Sequence, residues 1–309
     1  MSEGPISIIP EDVLADIFML AVDIGDIGLD EHYQSSGHLR SKMSIVITHV
    51  CQRWRFVAIH SPRMWTQLKI CAASQGPLIS LFATRSHPLG TTFTFESPGT
   101  SSLEDTITDW PPLRIMINKE AAIGIRELRF RHAAAVHALL IDEDAETALA
   151  LDRVFLSGAH IKDDHTLPFP SCLFHSTQLH LVNSMLDSGS RPFRFLHELV
   201  IENSDHETLL WMLECTNMPV LRSLRLCSIR ASDPKLVNTV KLPSLGRLLI
   251  ESSHSFTPAL IGRSLMVPNL QHLHVDDLGP QFRTDAQGSL LPKNVIRMKG
   301  VDAIKKAVR

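Results

Sequence analysis

Histidines and cysteines are the residue types in this chain that could perform catalytic or metal chemistry. The 309 residues include 16 histidines and five cysteines, most of them widely scattered. His272 and His274 share one face of a predicted strand, but no nearby cysteines complete a zinc set. His49 and Cys51 lie two residues apart on a predicted helix, so they do not face each other as a nucleophile pair would. The sequence also lacks the common phosphate, dinucleotide, zinc-protease and hydrolase motifs, so we expect no catalytic residue, metal or cofactor.

Three aspartates in one polar segment, Asp23, Asp26 and Asp30, could in principle bind a cation. Their spacing does not match the alternating ligands of an EF-hand loop, so we do not expect calcium binding. Asp, Gly and Ser are frequent throughout residues 23–42. This composition predicts a flexible insertion between two helices.

The overall composition is that of a globular chain without the charge of a nucleic-acid-binding protein. Hydrophobic residues make up 44% and charged residues 20%, and the length corresponds to about two domains. A net charge of −3 and a pI of about 6.6 disfavour a nucleic-acid partner. The odd number of cysteines, without a CxxC pair, suits a reducing compartment. No secretory leader or membrane-length apolar stretch is recognisable, so we expect a cytoplasmic or nuclear protein without a membrane partner.

A phrase of the form Leu-x-x-Leu-x-Leu recurs through the second half of the chain. Clear copies begin at Leu221, Leu245 and Leu270, each two residues after a proline. The middle apolar residues of successive copies are 26, 25, 20, 25, 24 and 25 residues apart. Such a period, with this phrase, is typical of leucine-rich repeats. The residues so spaced are Leu128, Val154, Leu179, Leu199, Leu224, Leu248 and Leu273.

The alternation within each phrase predicts a short strand with its leucines on one face. One strand cannot bury its leucines alone, so the copies must stack as parallel strands around a shared core. Intervening segments such as residues 206–216 have a helical pattern and would cover the back of that sheet. The steady period favours a repeat solenoid over an ordinary α/β domain, which is the alternative. Leu224, Leu248 and Leu273 are therefore expected to be buried on neighbouring strands.

The residues next to the buried leucines must point away from the core, because side chains alternate along a strand. Two such columns, one on each side of the buried middle residues, together mix apolar, basic and acidic groups, which suits a protein partner better than nucleic acid. The residues predicted to bind a target protein on this open face are Arg129, Phe155, His180, Arg225 and His274.

The first 65 residues have a different, helical pattern. Pro10 suits the first turn of a helix, and Leu14, Ile17 and Phe18 then follow on one apolar face. A second helix is predicted from about Met43 to Ile59. Residues 62–65, Pro-Arg-Met-Trp, are predicted to form a further short turn.

In their order and residue types these segments resemble the F-box, most closely that of fungal F-box proteins. Ile9 and Asp12 replace the Leu and Glu of the family pattern, Gln52 stands at its basic position and Met64 replaces a Leu. The family resemblance implies docking onto the Skp-family adaptor of a cullin-RING ubiquitin ligase. By that resemblance the adaptor-binding residues are Ile9, Pro10, Leu14, Ile17, Phe18, Val50, Cys51, Trp54 and Trp65.

The predicted fold class is α+β overall, with an all-α F-box module at residues 1–66 and a parallel-sheet, leucine-rich-repeat-like α/β solenoid at residues 67–309. The implied function is that of a non-catalytic substrate-recognition subunit of an SCF-type ligase. One alternative is a repeat scaffold that has lost adaptor binding. A second is an α/β enzyme whose site the sequence does not reveal.

Overall fold

The computed structural model combines helices and strands in two units, Met1–Leu149 and Ala150–Arg309. It describes residues 8–27, 36–70, 75–95, 125–130, 151–158, 160–162, 171–187, 192–230, 239–252, 261, 264–277 and 296–298. Residues 111–117, whose sequence pattern also predicts a strand, and the basic segment 304–309, which we expect to be a solvated tail, lie outside these ranges.

The first unit begins with helices and continues into a parallel sheet. Its helices are α1 (Glu11–Ile27), α2 (Ser36–Ile47), α3 (Gln52–Ile59), a 3-10 helix (Pro62–Trp65) and α4 (Gly76–Ser86). Its strands are β1 (Gln67–Ile70), β2 (Thr91–Phe95) and β3 (Ile125–Phe130), with β2 paired in parallel to both of the others.

The prediction of one helix from Met43 to Ile59 is wrong. Helix α2 ends at Ile47, and a turn over residues 48–50 separates it from α3. Cys51 is extended at φ −156° and ψ 171°, and its sulfur accepts a hydrogen bond from the Trp54 N–H. A residue with this geometry begins a helix, so the chain restarts its helix here.

The polar segment 23–42 is also more helical than predicted. Helix α1 continues to Ile27, and α2 already begins at Ser36. The intervening residues 28–35 lie outside the described part of the chain. Arg40 forms an ion pair with Asp23 at 2.5 Å, so this segment ties the two helices together.

The core of the helical part is built from one buried face of α1 and two tryptophans. Leu14, Phe18 and Val22 recur every four residues and are buried. The Phe18 and Trp54 rings lie 4.9 Å apart between centroids. The Trp65 indole N–H donates to the Ala58 carbonyl at 2.8 Å, which holds the 3-10 helix against α3.

The helices also pack onto the first strands, so the predicted boundary at residue 66 does not coincide with the division between the units. The Ser41 hydroxyl of α2 accepts a hydrogen bond from the Lys69 N–H of β1 at 3.2 Å. Trp65 packs edge-on against Phe82 of α4, with ring centroids 5.0 Å apart. These contacts place β1–β3 in one unit with the helices.

The second unit contains a large sheet of seven strands in the order β4-β6-β8-β9-β11-β13-β14. Every described pairing in it is parallel except the antiparallel β13–β14 pair. The helices are α5 (Ser171–His175) and α6 (His206–Cys215). The strands are β4 (Arg153–Ser157), β5 (His160–Lys162), β6 (Gln178–Val182), β7 (Met185–Asp187), β8 (Glu198–Glu202), β9 (Ser223–Cys227), β10 (Val240–Lys241), β11 (Arg247–Ser252), β12 (Leu265–Met266), β13 (His272–Asp277) and β14 (Ile296–Met298).

The leucines of the repeated phrase line up across this sheet. Leu248 pairs in register with Leu224 on one side and Leu273 on the other, and all three are buried. The prediction for these residues is confirmed. The first leucine of each phrase is buried too, in the turn before the strand, as at Leu221, Leu245 and Leu270. In β6 this position is occupied by Ser176, which is fully buried and donates its hydroxyl hydrogen bond to the Leu173 carbonyl at 2.8 Å.

Four neighbouring strands end in the same left-handed turn. The residue after each strand has a positive φ between 47° and 67°. Its N–H donates to a carbonyl of the next strand at 2.8–3.1 Å, so each turn extends the parallel ladder by one bond. Gly and Asn adopt this conformation at low cost. The four residues are Gly158, Asn183, Asn203 and Ser228.

Replacing Gly90 by alanine is expected to destabilise the first unit by about 1–3 kcal/mol, the usual cost of a strained non-glycine backbone. Gly90 precedes β2 with φ +79°, and a Cβ there would lie 2.4 Å from Cγ of Arg126. Urea denaturation would measure the change. The matched control is Gly246→Ala, whose Cβ would meet only the Arg222 carbonyl oxygen at 3.9 Å. Equal effects of the two substitutions would contradict this explanation.

Candidate interaction surfaces

Exposed apolar side chains concentrate in the helical part of the chain. Eight of the eleven exposed large hydrophobic residues in the described ranges lie between residues 8 and 56. On α1 these exposed residues recur at positions i, i+4 and i+7, beside the buried face of the helix. Another set runs along α2 and the turn after it. We call these residues the apolar stripe: Val13, Ile17, Leu20, Met43, Val46 and Val50.

The two halves of the apolar stripe run along antiparallel helices. Asp23, late in α1, pairs with Arg40, early in α2. At the opposite end, the Arg53 guanidinium donates to the Ile9 carbonyl. Since the order of contacts reverses between the two segments, α1 runs antiparallel to the chain from α2 into α3. A partner could therefore contact both halves along their length.

The residues predicted to bind an adaptor divide into two groups. Leu14, Phe18 and Trp65 are buried within the unit and cannot contact a partner directly. Trp54 is half-buried, with its ring against that of Phe18. The remaining predicted residues are wholly or partly exposed, namely Ile9, Pro10, Ile17, Val50 and Cys51.

The sequence prediction missed part of the stripe. Val13, Leu20, Met43 and Val46 are exposed at levels similar to Ile17. The apolar residues of α1 cover a wider arc around the helix than one buried face needs. This extra width is the sequence signal that could have identified the exposed apolar residues of α1. A continuous helix from Met43 to Ile59 would place Val50 and Trp54 on one face, but the break at residues 48–50 removes that relationship.

The seven-stranded sheet has an open face opposite its leucines. Across β4, β6, β8, β9, β11 and β13 one residue per strand aligns in register on this face. Arg225 is exposed, whereas the others are half-buried. This row brings four of the five predicted target-binding residues together, and it consists of Phe155, His180, Val200, Arg225, Leu249 and His274.

Arg129, the fifth predicted target-binding residue, lies on β3 in the other unit. It is exposed, and its guanidinium pairs with Glu127 on the same strand at 2.7 Å. Glu127 also accepts a hydrogen bond from the Thr92 hydroxyl at 3.3 Å. In register, Arg129 aligns with Thr94 of β2.

A charged cluster lies on the open face where β9 meets β11. The Arg225 guanidinium donates to both carboxylate oxygens of Glu251, at 3.0 and 2.9 Å. The Cys227 thiol donates to the same carboxylate at 3.3 Å. Arg225 and Glu251 are offset by two residues on adjacent strands, which places them on the same face.

The contacts within this cluster shift the pKa values of Glu251 and Cys227. Burial pushes the pKa of Glu251 up, but hydrogen bonds from Arg225 and Cys227, aided by nearby His274, hold it below its usual range. Burial, and then the hydrogen bond to Glu251, raise the pKa of the Cys227 thiol to about 12. Cys227 therefore stays a neutral donor at physiological pH and is not a reactive thiolate.

The other half of the open face is more apolar. Phe155 packs edge-on against His180, with ring centroids 4.8 Å apart. His180 Nε2 lies 3.1 Å from a Glu202 carboxylate oxygen, with the same two-residue offset between adjacent strands. Val182 and Val200 are half-buried beside them. The open face thus offers an aromatic and aliphatic region next to a charged one.

A buried serine–histidine contact is the arrangement most like catalytic chemistry in the described residues. Ser264 Oγ lies 3.3 Å from His206 Nε2, and Asp205 precedes the histidine. Both contacting residues are buried from solvent. Burial lowers the pKa of His206 despite the charge of Asp205, which favours a neutral imidazole. Asp205 accepts hydrogen bonds from the N–H and hydroxyl of Thr208 at 2.8 and 2.7 Å. The Asp205 side chain therefore caps helix α6. The contact between Ser264 and His206 is a structural one.

The described ranges contain neither a metal-binding cluster nor a membrane-spanning helix. No group of three or more His, Cys, Asp or Glu residues there could hold a metal ion. The helices of those same ranges include none long and apolar enough to cross a membrane. Comparison with known proteins found no matching family model, no matching curated protein and no matching solved structure.

Proposed function

We propose that this chain is an F-box protein whose parallel sheet belongs to an irregular leucine-rich-repeat solenoid. In this proposal it is the substrate-recognition subunit of an SCF-type ubiquitin ligase. The helical part binds the Skp-family adaptor and the open face of the sheet binds a target protein. The chain contributes proximity between target and ligase and no chemistry of its own.

The observation that carries the adaptor half of the proposal is the apolar stripe. Its residues are exposed although the same unit already buries a core that includes Leu14, Phe18 and Val22. A concentration of exposed apolar side chains beyond that core is characteristic of protein interaction sites. The motif residues that resemble the F-box occupy the same helices, so both features indicate one docking surface.

The target half of the proposal rests on the open face of the sheet. Phe155 and Arg225 are residue types that often anchor protein interfaces. Arg225 is held in place by Glu251 and Phe155 by His180, so a partner would meet side chains that are already ordered. Preorganisation of this kind lowers the entropy lost on binding.

Co-purification with a Skp-family adaptor tests the proposal directly. The full chain should form a stable 1:1 complex with the purified adaptor in size-exclusion chromatography. Persistent separation of the two proteins at micromolar concentration would count against the proposed function and favour a ligase-independent scaffold.

The triple substitution Phe155→Ala, Arg225→Ala and His274→Ala is expected to weaken target capture but to leave adaptor binding intact. These residues lie on the open face, so their removal should cost only about 0.5 kcal/mol each in stability. The readout is quantitative mass spectrometry of proteins that co-purify with the wild type. Full retention of those proteins by the triple variant would place target recognition on another surface.

A further inference from the structure

Charged residues are separated by sign across the helical part of the chain. Residues 9–27 contain five acidic residues and no basic one. Residues 36–66 contain five Lys or Arg, three His and no acidic residue. Helix α1 is therefore negative, whereas the segment from α2 through the 3-10 helix is positive.

This separation borders the apolar stripe on both of its sides. Asp12 and Asp16 are exposed on α1, adjacent in sequence to Val13 and Ile17. On the other side, exposed Lys42 is adjacent to Met43 and exposed His49 to Val50. The stripe thus has an acidic border along α1 and a basic border along α2.

The fold itself uses only part of this charge. Arg40 is largely buried and pairs with Asp23, and the Arg55 guanidinium donates to the Thr48 carbonyl at 2.9 Å. Lys42 and Arg63 are exposed and form no ion pair with any described residue. These two cations are directed at solvent and are available to a partner.

We propose that the stripe binds an adaptor surface whose apolar contact is bordered by acidic groups opposite α2 and α3 and by basic groups opposite α1. This inference rests on the proposed function and specifies the chemistry of its partner. Complementary borders steer association, and they fix the orientation of the complex, because a half-turn rotation would bring like charges together. Surface charge of this kind acts mainly on the association rate and is screened by salt.

The test compares association kinetics of the purified Skp-family adaptor with the wild-type chain and with a Lys42→Glu, Arg63→Glu variant. At about 20 mM salt we expect association to slow by about tenfold or more, with little change in the dissociation rate. At about 500 mM salt the two rates should converge. Circular dichroism melting curves of both proteins would verify that the helical part stays folded.

The matched control is Arg194→Glu, Lys241→Glu, which makes the same change of net charge at two exposed residues of the second unit. If both variants associate at equal rates, the local charge proposal is overturned, although the adaptor still binds. If the wild type does not bind the adaptor, the proposed function fails as well. Asp16→Lys tests the opposite border and should also slow association. Faster association of the Asp16→Lys variant would contradict the proposal that the stripe has one acidic border and one basic border.

Discussion

Ile17→Asp is expected to abolish capture of the Skp-family adaptor while leaving the second unit folded. Ile17 lies at the centre of the α1 half of the apolar stripe and is 44% exposed in the free chain. Aspartate at this position is tolerated in solvent, but in a complex its charge would be buried without a partner. We expect the loss to exceed about 2 kcal/mol, roughly a thirtyfold weakening. Isothermal titration calorimetry with purified adaptor would measure it.

Phe195→Asp is the matched control for this experiment. Phe195 is 49% exposed, close to the value for Ile17, but belongs to the second unit and is not part of the stripe. The Phe195→Asp variant should bind the adaptor as the wild type does. Unchanged affinity of the Ile17→Asp variant would show that the stripe does not form the adaptor interface.

Leu248→Ala is expected to destabilise the second unit by about 2–5 kcal/mol, the usual cost of a cavity in a packed core. Leu248 is only 1% exposed and lies between Leu224 and Leu273 on the neighbouring strands. The lost side chain would leave a void that both neighbours border. Chemical denaturation monitored by circular dichroism would give the change in the free energy of unfolding.

The adjacent residue provides an internal control. Leu249 has the same side chain but points to the open face, where it is half-buried. Leu249→Ala should therefore cost much less than Leu248→Ala. Equal costs would mean that the two faces of β11 are buried alike, contrary to the architecture described above.

The repeating part of the fold was predictable because its signal is long. A phrase that recurs at near-constant spacing predicts the strands, their parallel order and the burial of Leu224, Leu248 and Leu273. Contacts within the open face were not predictable in the same way. Arg225 and Glu251 are 26 residues apart in the sequence, and they meet only because β9 and β11 pair with a defined register.

The helical part was harder to predict from its sequence. Val46 and Val50 are spaced as one helical face, so periodicity alone predicts a continuous helix through them. The break arises because the chain turns at residues 48–50 and the Cys51 sulfur begins a new helix. Residues such as Val13 and Leu20 look like core positions, and only the packing of the unit shows that the buried face of α1 carries Leu14, Phe18 and Val22 instead.

The left-handed turns at the strand ends have a consequence for how such a chain can change in length. The backbone N–H of each turn residue, as at Asn183 or Asn203, donates to the strand that follows. Repeat length varies, as in the 20-residue step from Leu179 to Leu199, while the strands on either side keep their register. A whole repeat could therefore be duplicated or deleted between two such turns without shifting the remaining rows. The open face of the sheet could be lengthened or shortened one strand at a time, independently of the apolar stripe.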